Sequence, residues 1–245
     1  MTIINVTVET GSSGGNIASA VAAHFGLEHV RYRLTDPPSP TPDAGSVLLQ
    51  RLLETRSLTA RQLTARGKRR TRLTELDLIE HACRDNVLLD GFGASILLRS
   101  VPQAVSVLVC APLQERVARI MAEHQITDAS QAEALVRGAD RRYAAMAERL
   151  VGDAEWRSER HYDLVLNTER LGPGACLDLI VTLAGRRRQR RSSATRLALE
   201  ALHLEARARV AARSQLVEFW RQAADADEPA SLPKRRPRGA PSPQH

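Results

Sequence analysis

Aromatic residues are nearly missing from this sequence: Phe, Tyr and Trp make up 3% of its 245 residues, so any core must be built from Leu, Val, Ile and Ala. The 43% of apolar residues is enough for one. No apolar run approaches the roughly 18 residues a membrane span needs. The N-terminus lacks a basic region followed by an apolar stretch and a cleavage site, so it does not read as a signal peptide, and the expected location is cytoplasmic. Cys83, Cys110 and Cys176 are odd in number, far apart and without metal-ligand spacing, which predicts buried, reduced thiols. Lysine is scarcer still. Only Lys68 and Lys234 occur, so arginine carries nearly all of the positive charge.

What charge there is lies unevenly. Residues 186–245 hold 14 Lys or Arg against 6 Asp or Glu, a net +8. The remaining 185 residues hold 21 basic and 22 acidic side chains, a net −1. The basic character therefore belongs to the tail and not to the body, which argues against a nucleic-acid groove on the body itself.

Short continuous apolar runs alternate with amphipathic stretches. Ile4–Val8, 86–93 ("NVLLDGFG"), 104–112 ("AVSVLVCAP") and 162–168 ("YDLVLNT") read as strands. Helices are expected at Ile17–Phe25, after Pro112, over 128–150 and over 173–184. The four prolines of "DPPSPTPDAG" (36–45) predict a loop, and residues 46–82 read as interrupted helix. This alternation predicts an α/β fold, a parallel sheet covered on both faces. Ligands of such sheets bind beyond the strands' carboxyl ends. Gly11–Gly15, Asp90–Gly93 and Asn167–Thr168 all follow strand ends.

The first of these stretches sets the main question. "INVTVETGSSGGNIASAVAAHFG" runs strand, glycine loop, helix, the order of a phosphate-binding loop. In G-x-x-x-x-G-K-[ST] loops backbone N–H groups surround the phosphates, and the lysine neutralises them. Here Gly14 and Gly15 are followed by Asn16. The motif alone leaves phosphate binding and a tight strand-to-helix turn both open.

With its flanks, the stretch resembles the opening of the cytidylate kinase-like family, a branch of the P-loop nucleoside monophosphate kinases. That opening reads like I-T-I-S-R-E-x-G-S-G-G-x-x-I-A and lacks the lysine as a rule. "NVLLDGFGASILLRS", "APLQERVARIM" and "YDLVLNTERL" resemble later blocks of the family, in the same order, so that the likeness spans residues 4–184. It implies a three-layer P-loop kinase-like domain over 1–185 that uses ATP and Mg²⁺ to phosphorylate a nucleoside monophosphate, CMP or dCMP. By this resemblance Gly11, Ser12, Ser13, Gly14, Gly15 and Asn16 receive the ATP phosphates. Asp90 helps hold Mg²⁺, Arg141 and Arg142 in "VRGADRRYAAM" close over the phosphates, and segment 31–82 receives the acceptor. No metal ligand is expected on the protein beyond that. Arg116 and Arg119 read as surface or salt-bridge residues.

Three departures stand out. Thr7-Val8-Glu9 replaces Ser-Arg-Glu before the glycines, Gly91-Phe92-Gly93 replaces G-R-G, and Arg31 stands where the family has an acidic residue. They motivate an alternative, a catalytically degenerate nucleotide-binding regulatory protein. The tail motivates a second, nucleic-acid binding through "RRRQRR" and "KRRPRG". Residues 186–223 are expected to form a basic helical extension, with 194–223 able to pack on the core or on a second subunit. A polyanion or protein partner fits the basic tail. Residues 224–245, rich in Pro and Arg, are expected to be disordered.

Overall fold

The computed structural model describes residues 2–35, 70–188 and 193–226. The first apolar run forms strand β1 (Ile3–Val8), buried along its whole length. A strand with no exposed face needs cover on both sides, and β1 has it. It lies between β4 (Val87–Asp90) and β5 (Ala104–Cys110), parallel to both. Outside these lie β2 (Glu28–Leu34) and β3 (Thr71–Leu73) on one flank and β6 (Leu164–Asn167) on the other. The order is β3-β2-β4-β1-β5-β6, every pair parallel, so all carboxyl ends share one edge. The chain leaves β1 toward β2 and leaves β5 toward β6, in opposite directions. That reversal opens a crevice beyond their carboxyl ends.

Helices cover both faces. On one, α1 (Gly14–Phe25) and α6 (Thr168–Arg188) pack Ile17, Val21, Cys176 and Ile180 against Ile4, Val6, Leu88 and Val107. The buried thiol of Cys176 matches expectation, whereas Cys83 is exposed and Cys110 half-buried. On the other face, α2 (Glu75–Cys83) and the short α3 (Ala94–Leu97) cover Ile3, Tyr32, Val87 and Leu89. Thr74 and Asp77 form a reciprocal capping box that fixes the start of α2. α4 (Leu113–His124) and α5 (Ala129–Val151) follow β5. A layer of Phe92, Ile96, Leu108, Ala147 and Trp156 packs α5 onto the carboxyl edge.

The four strands read from the sequence are present, and two more join them. Segment 28–34, "EHVRYRL", alternates charged and buried residues, and β3 was covered by the helical reading of 46–82. The rest of that reading up to 69, and the 36–45 loop, lie outside the described residues. The final helix α7 runs Ser193–Ala226, so 224–226 are helical, and 227–245 lie outside the described residues. The chain divides into two compact units, Met1–Arg207 and Ala208–His245. In the first, Leu199 of α7 is buried in the core layer with Leu78 and Leu98.

Candidate functional site

β1 delivers the glycine loop to the crevice. Gly11 has φ +85° and lies so close to α4 that a Cβ there would sit 2.5 Å from the Arg116 carbonyl oxygen. Ser12 is fully buried; its N–H donates to the Glu9 carbonyl and its Oγ to the Val109 carbonyl, both at 3.0 Å. Thr168, at the end of β6, donates through Oγ1 to the Ser12 carbonyl at 2.9 Å and accepts from Arg119 at 2.9 Å. Ser13, with φ +62°, begins α1 without a side-chain cap, and no acidic residue occupies the first turn. The helix start therefore keeps its unsatisfied N–H groups and partial positive charge. Gly14 packs on Val8 and Val109, Gly15 faces open space, and Asn16 is exposed.

Asp90 ends β4 one strand away. Its side chain is 2% exposed and lies among cations. Its Oδ2 is 3.3 Å from His29 Nε2 and 3.3 Å from Arg31 Nε, and its Oδ1 is 3.9 Å from Arg70 Nη2. The parallel register of β2 and β4 pairs Arg31 with Asp90, so both side chains leave the same face. Arg31 also reaches α1, where Nη2 donates to Ser19 Oγ at 2.7 Å and to the Gly15 carbonyl at 3.3 Å. Burial pulls the pKa of Arg70 down, but Tyr143 and Asp90 outweigh it and the net shift is upward. This donor set does not fit a Mg²⁺ ion held by Asp90. Two guanidiniums and an imidazole lie within 4 Å of the carboxylate, and that positive charge opposes a divalent ion there.

Beside the loop lies a cavity of about 440 Å³. Thr10 of the loop lines it, with Arg33, Arg70, Arg142 and Arg149 as its cations and Phe92 and Tyr143 as an aromatic wall. Phe92 and Tyr143 stack with ring centroids 5.1 Å apart, and Tyr143 also donates to the Val8 carbonyl at 3.4 Å. Burial, and then neighbouring Arg33, depress the pKa of Arg142. Like charges thus face one another with no carboxylate among the described lining residues. Arg141, its sequence neighbour, is exposed and does not line the cavity.

Behind the loop a buried charge network joins β1 to the helices. Arg116, 2% exposed, makes a bidentate pair with Asp140 of α5 at 2.6 and 3.0 Å and lies 3.3 Å from Glu9. Arg157 pairs with Glu9 and, at 2.8 Å, with Asp140, its guanidinium stacked 4.1 Å above the Trp156 ring. Glu9 Oε2 also accepts from the Ala111 N–H at 3.1 Å. Arg116 is the salt-bridge residue the sequence suggested, though a buried one. Sequence reasoning missed Glu9, Arg33, Arg70 and Tyr143. For β2 a signal existed in its strict alternation, which puts His29 and Arg31 on the Asp90 side. Arg70 and Tyr143 had none.

A glycine loop between the first strand and first helix, central in a parallel sheet of this order, defines a P-loop kinase-like, nucleotide-binding fold. The chain belongs to the cytidylate kinase-like family, whose profile matches residues 3–170. Among solved structures, an uncharacterized protein from Eubacterium ventriosum ATCC 27560 superposes with a TM-score of 0.50 at 15% identity, covering 76% of this chain and 99% of that one. A shikimate kinase from Bacteroides thetaiotaomicron gives 0.40 at 10% identity over 75% and 98% of the two chains. A shikimate kinase from Acinetobacter baumannii, in complex with shikimate, gives 0.40 at 11% over 78% and 96%. The first likeness is one of fold alone. Comparison with curated proteins gives no match.

Proposed function

We propose that the chain is a phosphotransferase of the cytidylate kinase type, moving the ATP γ-phosphoryl group to a nucleoside monophosphate, with CMP or dCMP favoured by the family. One observation carries this reading: Thr10 of the glycine loop lines the same cavity as Arg33, Arg70 and Arg142. That shared lining supports a donor site next to an acceptor site, as in-line transfer requires. Residues Gly11–Asn16 receive the ATP phosphates through backbone N–H groups and the start of α1. In the cavity the acceptor ring lies against Phe92 and Tyr143, and its phosphate meets the arginines. An oxygen of that phosphate attacks the γ-phosphorus, the bond to the β-phosphate oxygen breaks, and ADP leaves. Catalysis of this reaction is mostly positioning and neutralisation of the phosphoryl oxygens. Arg142, on the cavity wall, supplies the latter; Arg141 contributes to the positive field from outside the cavity. Kinases of this family generally use Mg²⁺.

Coupled turnover with ATP and each nucleoside monophosphate tests this. The expected result is turnover with a pyrimidine monophosphate that falls by about 10²-fold or more in Arg142→Ala. No acceptor giving a rate above background would sink it. A second reading, nucleotide binding without turnover, is favoured by the Arg31–Asp90 pair and by Phe92 in place of an arginine. It predicts stabilisation by nucleotide with no product.

A further inference from the structure

We propose that Arg31, oriented by Asp90, is the phosphate-binding cation of this glycine loop, and that nucleotide binds there without a divalent ion held by the protein. The inference rests on the nucleotide-site reading above. In loops that carry a lysine, that residue lies in the first helical turn and brings its charge to the β- and γ-phosphates. Here the first turn of α1 has none. The charge arrives from β2 instead, through a guanidinium seated on Gly15 of that turn and Ser19 of the next.

Three features make Arg31 a built cation and not a stray surface charge. Its side chain is 19% exposed, so most of it is enclosed. Nη2 donates to Gly15 and Ser19, while Nε, buried 3.3 Å from Asp90 Oδ2, makes no hydrogen bond among the described residues, so the guanidinium keeps donor capacity for a phosphate oxygen. Asp90, itself buried, holds the guanidinium by charge from one side; in this proposal it is a positioning residue. The sign of the local charge points the same way. A carboxylate at position 31 beside Asp90 would make a pair of −2, the kind of oxygen donor set that favours Mg²⁺. With arginine the pair is neutral, and Arg70 takes the cluster to +1, counting His29 as neutral. Such a cluster repels a divalent cation and attracts an anion. Arginine also offers paired, planar N–H donors that match phosphate oxygens.

Titration calorimetry of the full chain with the β,γ-imido analogue of ATP, in excess Mg²⁺ and in excess EDTA, tests the proposal. The expected dissociation constants agree within about threefold. Arg31→Ala weakens binding about tenfold or more in both buffers, and Arg31→Lys recovers part of it. Arg31→Glu binds poorly in EDTA and regains affinity with Mg²⁺. Asp90→Asn weakens binding equally in the two buffers, whereas loss of a metal ligand acts only with Mg²⁺. Circular dichroism and melting temperature establish that each variant is folded, and Arg31→Lys serves where Arg31→Ala is not. Binding that appears only with Mg²⁺, or that ignores Arg31→Ala, overturns this inference alone. No binding in either buffer at millimolar ligand overturns the nucleotide-site reading and this inference with it.

Discussion

Gly11 and Gly15 stand four residues apart in one loop and answer to different constraints. Gly11 has φ +85° and no room for a Cβ, which would meet the Arg116 carbonyl at 2.5 Å. Gly11→Ala is expected to lower stability by about 2–3 kcal/mol, through backbone strain and a clash that only a shift of α4 relieves. Gly15 has nothing within 4 Å of its Cβ position, so Gly15→Val leaves the melting temperature nearly unchanged. Thermal denaturation of the two variants checks the contrast. Arg116 is the other residue on which the loop depends. Arg116→Ala removes the buried partner of Glu9 and Asp140 and leaves them the half-exposed Arg157, and urea unfolding is expected to show a loss of about 3 kcal/mol. Arg157→Ala touches the same two carboxylates, but this side chain is 42% exposed and water can replace it, so about 1 kcal/mol is expected.

Among the elements, those with continuous apolar runs were legible in the sequence. β1, β4 and β5 announce themselves because burial on both faces leaves few polar positions, and the edge strand β6 does so through Leu164, Val165 and Leu166. β2 does not, because its other face meets Asp90 and the first turn of α1 rather than a greasy helix, so charged residues alternate with Val30, Tyr32 and Leu34. The same feature hid part of the site. Arg31 reads in the sequence as a departure from the family, and its meaning rests on a neighbour 59 positions away that only the sheet register supplies. α5 was legible as a helix but not as an anchor. Asp140 ties it to Arg116 behind the loop, while Arg142, two residues on, faces the cavity. One helix thus links the loop's charge network to the acceptor wall, a relation set by packing across 24 residues of sequence between Arg116 and Asp140.

At the scale of the whole molecule the near absence of aromatics holds: the two large core layers are Val, Leu, Ile and Ala with Cys176 and, as their one fully buried aromatic among the described residues, Tyr32. No helix among the described residues is long and apolar enough to cross a membrane. Global stability should carry the signature of the Glu9–Arg116–Asp140–Arg157 network. Burial raises the pKa of Asp140, but hydrogen bonds from Arg116 and Arg157 outweigh it and hold the carboxyl below its ordinary value of 3.8. A depressed carboxyl stabilises the fold fully above that ordinary value and loses its contribution as pH falls through the folded-state value. Urea midpoints measured from pH 7 down to pH 2 are expected to fall at the acid end, and to fall less in Asp140→Asn.

The central claim is that the glycine loop, without a lysine, is a nucleotide phosphate site. Calorimetric titration of the full chain and of Gly15→Val with the β,γ-imido analogue of ATP tests it most directly. The expected result is micromolar binding by the parent chain and none by the variant, with both equally folded. Absence of binding at millimolar ligand, or equal binding by Gly15→Val, would contradict it and leave the loop as a strand-to-helix turn.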